Sequence, residues 1–215
     1  LQISCDGGAA TGKSTGAKMI SEKYNLKFLS SGLLYRYAGY LLLKNKPKNR
    51  ISFLNRKFKN LNYKRLEKIN LHTQNISEFS AKIAKVDTVR KILKKYQLSF
   101  IKKNRKCCIE GRDISTKILP KAKIKFFFIC NLNIASIRRF KELKKFNPSL
   151  RLSDVKKALR TRNIIDTNRK NSPLLKHADS IEIDTGKLNK SAMKAKMSKY
   201  LEKVLKKKYG NWRKT

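Results

Sequence analysis

Leu1 to Cys5 runs apolar, polar, apolar, polar, apolar, the alternation of a strand with one buried face. After a glycine-rich turn, Ala17, Ile20 and Tyr24 recur at helical spacing, so a strand, a turn and a helix follow in order. Lys27-Phe28-Leu29 predicts a short second strand ending at Ser30-Ser31-Gly32. Leu33, Leu34, Tyr37, Ala38, Leu41 and Leu42 then form the apolar face of a helix. From Asn45 to Asn70, Ile51, Phe53, Leu54, Phe58 and Leu61 are scattered among lysines, which predicts a helical or irregular cap instead of a small sheet. Val86, Val89, Leu93 and Tyr96 make another helical stripe, and Lys106 to Ile109 a short apolar strand. Ile124 to Ile129 is nearly all apolar, as in a strand buried on both faces of a parallel sheet. Ile137, Phe140 and Leu143 mark a helix carrying Arg138-Arg139, and Asn147-Pro148 breaks the chain before a helix that Ser153 is expected to cap. Ser180 to Thr185 alternates as a last strand, Met193, Met197, Leu201, Val204 and Leu205 line a closing helix, and the lysine-rich tail through Thr215 is expected to be disordered. The class is α/β, a parallel sheet of about five strands flanked by helices.

With 215 residues there is room for one sizeable core and a small insertion, and no internal repeat divides it. No apolar run approaches the roughly 20 residues of a membrane span. Leu1 is not an initiator Met, so a residue or two of the first strand is expected to be missing, and nothing directs the chain out of the cytoplasm. The formal charge of +40 alone would point to nucleic acid. Lysine outnumbers arginine 40 to 14, however, and is spread along nearly every segment. A solvated basic surface with salt-sensitive, non-specific nucleic-acid binding is the expectation, and no aromatic or basic groove is visible in the sequence. Cys5, Cys107, Cys108 and Cys130 lie in or beside apolar runs with no C-x-x-C spacing, and Cys107 and Cys108 should face opposite sides of a strand. Buried thiols in a reducing cytoplasm follow. His72 and His177 have no ligand spacing and are read as structural or exposed.

The chemistry begins in the first turn. Gly7, Gly8, Ala9, Ala10, Thr11, Gly12, Lys13, Ser14 and Thr15 fit G-x-x-x-x-G-K-[ST] between a strand and a helix, the setting in which that pattern binds phosphate. Small residues let the main chain wrap a polyphosphate so that successive N–H groups converge on it, and the helix start adds the positive end of its dipole. Lys13 is expected to reach the β and γ phosphates of ATP, and the Ser14 hydroxyl to enter the coordination sphere of Mg²⁺. A glycine-rich turn that matches by chance is the alternative.

About twenty residues after the loop comes Ser31-Gly32-x-x-Tyr35-Arg36, and this pair of motifs resembles bacterial cytidylate kinase, a P-loop nucleoside monophosphate kinase. The resemblance implies a single kinase domain: a core of 1–44, 104–147 and 175–215, a monophosphate-binding insert at about 45–103 and a lid at about 148–174. It implies that Ser31 and Arg36 bind the monophosphate, although Ser31 could equally cap its helix. The match resumes from Leu71 to Arg90, and Arg90 would contact the cytosine ring, unless it is merely a solvated helix charge. A serine that contacts the base in relatives aligns with Ala81, beside Ser80. Glu110-Gly111-Arg112-Asp113 resembles the Asp-Gly-Arg-Asp motif with Glu110 in place of its first Asp. Arg112 would neutralise phosphate and Asp113 accept from the cytosine amino group, the alternative being an ion pair between the two that closes a turn. Arg162-x-x-x-Asp166-x-x-Arg169 resembles the lid: Arg162 and Arg169 would bind phosphates and Asp166 the substrate ribose, with Ile165 where many relatives have a further arginine.

The implied activity is ATP- and Mg²⁺-dependent phosphorylation of CMP and dCMP, with Lys13, Arg36, Arg112, Arg162 and Arg169 carrying the catalysis in a cytoplasmic monomer without membrane or specific nucleic-acid partners. Three other readings stand beside it. Another small-molecule P-loop kinase would share only the first motif; a nucleic-acid-binding protein would explain the charge; a degenerate kinase that binds without chemistry would explain Ala81 and Ile165.

Overall fold

The computed structural model describes residues 1–209. In chain order β1 (Gln2–Gly7) leads to α1 (Lys13–Lys23), then β2 (Lys27–Ser30) to α2 (Ser31–Asn45). The next stretch is helical: α3 (Arg50–Lys59), a 3₁₀ turn (Tyr63–Lys68), α4 (Gln74–Ile83) and α5 (Asp87–Lys103). It contains no strand, as the scattered apolar positions predict. Then come β3 (Cys107–Gly111), a π turn (Ile114–Ile118), β4 (Ile124–Ile129), α6 (Leu132–Lys144), α7 (Leu152–Asn168), β5 (Ile181–Asp184) and α8 (Lys190–Tyr209).

The five strands lie in the order β2-β3-β1-β4-β5, all parallel. β1 is therefore central, and its register sets Cys5 opposite Glu110 and Asp6 opposite Gly111. Ligands of open parallel sheets bind beyond the carboxyl ends of the strands, and here that edge gathers the loops after β1, β2 and β3. Side chains alternate between two cores. Ile3, Cys5, Cys108, Phe126 and Phe128 pack with Ala17, Ile20 and Met197 under α1 and α8. Cys107 and Ile109 face the other way, toward Leu34, Leu93 and Phe58 from α2, α5 and α3. Cys107 and Cys108 thus do point to opposite faces, and all four thiols are free. Phe128 matters to the site because the phosphate loop sits directly on it. A Cβ at Gly7 would come within 2.5 Å of the Phe128 carbonyl, and one at Gly16 within 2.8 Å of its ring. Truncating this buried ring would cost about 3–5 kcal/mol and loosen the loop above it.

Four local readings are corrected, the first of them the alternative for Ser31. The cap of α2 is Ser30, whose Oγ accepts the Leu33 N–H at 3.1 Å, so Ser31 is not used as the cap. α7 starts at Leu152 with Arg151 at the cap position, because the Val155 N–H reaches the Arg151 carbonyl at 3.3 Å; Ser153 lies inside the first turn. Val86 stands at the exposed start of α5, and the buried register there is Val89, Ile92 and Leu93. α8 continues through Tyr209, into the stretch expected to be disordered, and the remainder of that tail lies outside the described residues.

Candidate active site

The phosphate loop turns through Gly12, whose φ of 78° belongs to the left-handed region where a side chain is strained, and α1 begins at the next residue. Lys13 Nζ donates to the Gly8 carbonyl at 3.0 Å and lies 3.9 Å from a Glu110 oxygen. Burial, then the nearby Arg112, lower the Lys13 pKa to about 7. Thr11 Oγ1 donates to the Gly8 carbonyl, Thr185 Oγ1 donates to the Thr11 carbonyl at 2.9 Å, and the Ala9 N–H reaches Asn163 Oδ1 at 3.1 Å. The loop is thus tied to the last strand end and to α7.

At the end of β3, Glu110 is buried and its Oε1 accepts from Ser14 Oγ at 3.1 Å and from Ser30 Oγ. Its other oxygen, Oε2, is buried without a hydrogen-bond partner. Burial would raise this carboxyl, but Lys13, Ser30 and Arg112 outweigh it and hold the pKa below the ordinary value. One residue before the loop, Asp6 accepts the Ile114 and Ser115 N–H groups at 2.8 and 2.7 Å and so fixes the turn that follows Arg112 and Asp113.

The predicted site residues fall into two adjoining cavities. The larger, about 720 Å³, is lined by Ala9 to Thr15 together with Arg36, Arg112 and Arg162. Gly7 and Gly8 lie beneath it, against Phe128 and Thr11. The smaller, about 30 Å³, lies among Ser31, Arg90, Asp113, Asp166 and Arg169, with Arg112 and Arg162 at the seam between the two. In the smaller cavity the charged groups hold one another. Arg90 Nη2 is 2.5 Å from Asp113 Oδ2, and its guanidinium stacks 5.6 Å from the Tyr35 ring centre. Asp166 is shared by Arg112 at 2.8 Å, Arg169 at 3.4 Å and Arg162 at 3.9 Å. Arg112 and Asp113 therefore pair with other residues and not with each other. Burial would raise the Asp166 carboxyl, but the three arginines depress it. For Arg36 the neighbours are cations: burial, then Arg162, Arg139 and Arg112, lower its pKa to about 9. Such a cluster is relieved when a polyanion enters.

Sequence reasoning missed Glu110 as the partner of Ser14, Asn163 as the tie to the loop, and the pair His72 and Arg139. Both of these line the larger cavity; His72 Nδ1 is 3.3 Å from Arg36 Nη1, and its carbonyl accepts from Arg139 at 2.7 Å. Glu110 could have been found from its place at the end of a strand beside β1. Nothing local marks the others.

Two of the departures from the resemblance lie together. Ala81 and Ile165 line a groove of about 390 Å³ with Leu143, Val155 and Leu159. Ser80 lies beside Ala81 in the smaller cavity, but its hydroxyl proton goes to the Ser77 carbonyl at 2.7 Å, which leaves it only as an acceptor. Ile165→Arg would bring a further cation next to Arg162, and turnover is expected to rise up to about tenfold in steady-state kinetics. No gain would refute the charge deficit at this position.

The family model described as cytidylate kinase matches residues 3–203. A cytidylate kinase of Fusobacterium nucleatum is 32% identical over 213 residues, covering 94% of this chain and 97% of that protein. One of Bartonella tribocorum is 32% identical, covering 95% of each. A solved structure of an uncharacterized protein from Eubacterium ventriosum aligns with a TM-score of 0.55 at 14% identity, covering 94% of this chain and 98% of that one, which speaks for the fold alone.

Proposed function

Because the chain belongs to the cytidylate kinase family, a family of phosphotransferases, we propose that it transfers the γ-phosphoryl group of ATP directly to the phosphate of CMP and of dCMP. The observation that carries this reading is that Lys13, Arg36 and Arg162 from three helices and Arg112 from the loop after β3 line one cavity with the phosphate loop, while Arg90 and Asp113 close the cavity next to it.

The acceptor oxygen is already anionic, so the residues need not remove a proton. Their task is to bring two highly negative groups into line and to neutralise charge on the moving phosphoryl. Lys13 leaves the Gly8 carbonyl for the β and γ phosphates, and Arg36, Arg112, Arg162 and Arg169 exchange their present partners for phosphate oxygens. Asp166 is then released to the ribose. Mg²⁺ fits the donors present: the Ser14 hydroxyl, and Glu110, whose buried Oε2 accepts no hydrogen bond and lies 3.9 Å from Lys13 Nζ. Ser14 and Glu110 would hold it, and it would supply positive charge that offsets part of the negative charge of the phosphates.

The division into core (1–44, 104–147, 175–215), insert (45–103) and lid (148–174) belongs to the same proposal. Its support is that Arg162 bonds Ser77 and Asn171 bonds the Asp87 carboxylate at 2.5 Å, contacts that draw the segment 148–174 onto the insert. Closure of this kind excludes water and limits idle ATP hydrolysis. Among the described residues no helix is long and apolar enough to cross a membrane. A cytoplasmic monomer acting on small nucleotides is the proposed setting.

Base choice gives the test. Asp113 accepts from the cytosine amino group, whereas uracil presents an acceptor there. Asp113→Asn offers a donor in its place, so the ratio of kcat/KM for CMP over UMP is expected to fall about thirtyfold, the equivalent of about 2 kcal/mol. An unchanged ratio would remove Asp113 from base reading.

A second reading has one observation behind it. The sequence shows no basic groove, but the structure contains one of about 910 Å³ between α3 and α5, lined by Arg56, Lys59, Lys95 and Lys103 around Phe58 and Tyr96. It favours salt-dependent contact with polyanions on the side of the insert.

A further inference from the structure

Ser30 is a junction of three parts of the molecule. Its Oγ caps α2 by accepting the Leu33 N–H at 3.1 Å and donates its own proton to Glu110 Oε1. Its N–H donates to the Tyr63 hydroxyl at 2.8 Å, a contact from the 3₁₀ turn between α3 and α4. The same Glu110 Oε1 accepts from Ser14 in the phosphate loop at 3.1 Å. Glu110 is only 2% exposed, so this fork is not traded freely for water.

The residues immediately after Ser30 make the fork consequential. Ser31 and Arg36 are carried on α2, and the direction of a helix's first turn is set by its cap. Ser14 lies at the start of α1 on the ATP side. One carboxylate oxygen therefore spans the two substrate sites, with a hydroxyl from each as donor. The reach depends on the glutamate: with β3 in its present register, an aspartate is one methylene shorter and brings its carboxylate less far toward the two hydroxyls.

We propose that Glu110 is a positioning residue that couples the ATP site to the monophosphate site through Ser14 and Ser30, so that filling either site sets the other. This inference rests on the kinase reading above. A ligand bound against Ser14 fixes its hydroxyl, the fork fixes Ser30, and Ser30 fixes the start of α2 with Ser31 and Arg36. The coupling is reciprocal, so ATP and CMP each tighten the other by the same factor.

The test is CMP affinity, measured by calorimetry on the full chain with and without a non-hydrolysable ATP analogue and Mg²⁺. The native chain is expected to bind CMP at least about fivefold more tightly when the analogue is present. Ser30→Gly removes the hydroxyl while keeping a tolerated cap residue, and Glu110→Asp keeps the charge while losing the reach; both should bring the ratio to near one. Glu110→Gln keeps an oxygen that accepts both hydroxyls, so it should lower turnover yet retain most of the ratio. A native ratio of one, or a ratio that survives both Ser30→Gly and Glu110→Asp, overturns the proposal. So does a ratio lost in Glu110→Gln but kept in Glu110→Asp, which would assign the effect to charge. Failure of the native chain to form ADP with CMP would instead count against the kinase reading itself, and is scored separately.

Discussion

Asp166→Ala is expected to lower turnover at least about a hundredfold and to reduce unfolding free energy by about 3–5 kcal/mol. Asp166 is 3% exposed and is the shared counter-ion of Arg112, Arg162 and Arg169. Without it three crowded guanidiniums lose their common partner in the free protein, and repulsion among them spoils the arrangement from which, on the proposed mechanism, they pass to phosphate. Asp166→Asn, which keeps the acceptor but not the charge, should fall between the two. Denaturant titration and steady-state kinetics on the same preparations check both halves; loss of activity at native stability would leave only the substrate contact.

The same carboxylate predicts a pH dependence. Asp166 and Glu110 are held below their ordinary values in the folded protein. Their stabilisation is therefore fully present above the unfolded carboxylate range, about pH 4, and is lost as pH falls through their folded values. Asp6, raised by burial, works in the opposite direction and reduces the net effect.

Lys13→Ala should lower kcat/KM about a thousandfold or more, because it removes the cation aimed at the β and γ phosphates. Stability should fall as well, because the buried Glu110 carboxylate loses the cation that lies 3.9 Å from its Oε2. With its pKa lowered to about 7 in the free protein, Lys13 is largely neutral at pH 8 and becomes charged against phosphate. ATP binding at pH 8 should then take up a proton, visible by calorimetry in buffers of different ionisation enthalpy, and the variant should lose most of that uptake. Proton release, or uptake unchanged in Lys13→Ala, would contradict the assignment.

How much of this was legible in the sequence follows from locality. The phosphate loop is contiguous, its glycines answer to backbone geometry and its flanking strand and helix announce themselves by period, so Gly7 to Thr15 could be read directly. Periodicity likewise located all five strands, and the opposed faces of Cys107 and Cys108 followed from alternation alone. Arg36, Arg90, Arg112, Arg162 and Arg169 were legible only through resemblance, because a lone arginine among 54 basic residues carries no pattern of its own. The partnerships were not legible at all. Arg112 with Asp166, Arg90 with Asp113 and Ser30 with Glu110 join residues 54, 23 and 80 positions apart, and such pairs are set by where the sheet ends and the helices cross. Ser30 and Ser31 show the limit at the smallest scale: adjacent identical residues, one capping α2 and the other lining the smaller cavity, distinguished only once the helix start is known.

The most direct measurement is ADP formation by the full chain with ATP and Mg²⁺, compared across CMP, dCMP, UMP, dTMP, AMP and no acceptor. Rapid ADP release is expected with CMP and dCMP, and at most slow release with the other acceptors or none. Equal rates with AMP or dTMP, or silence across the whole panel while the chain still binds nucleic acid at physiological salt, would contradict it.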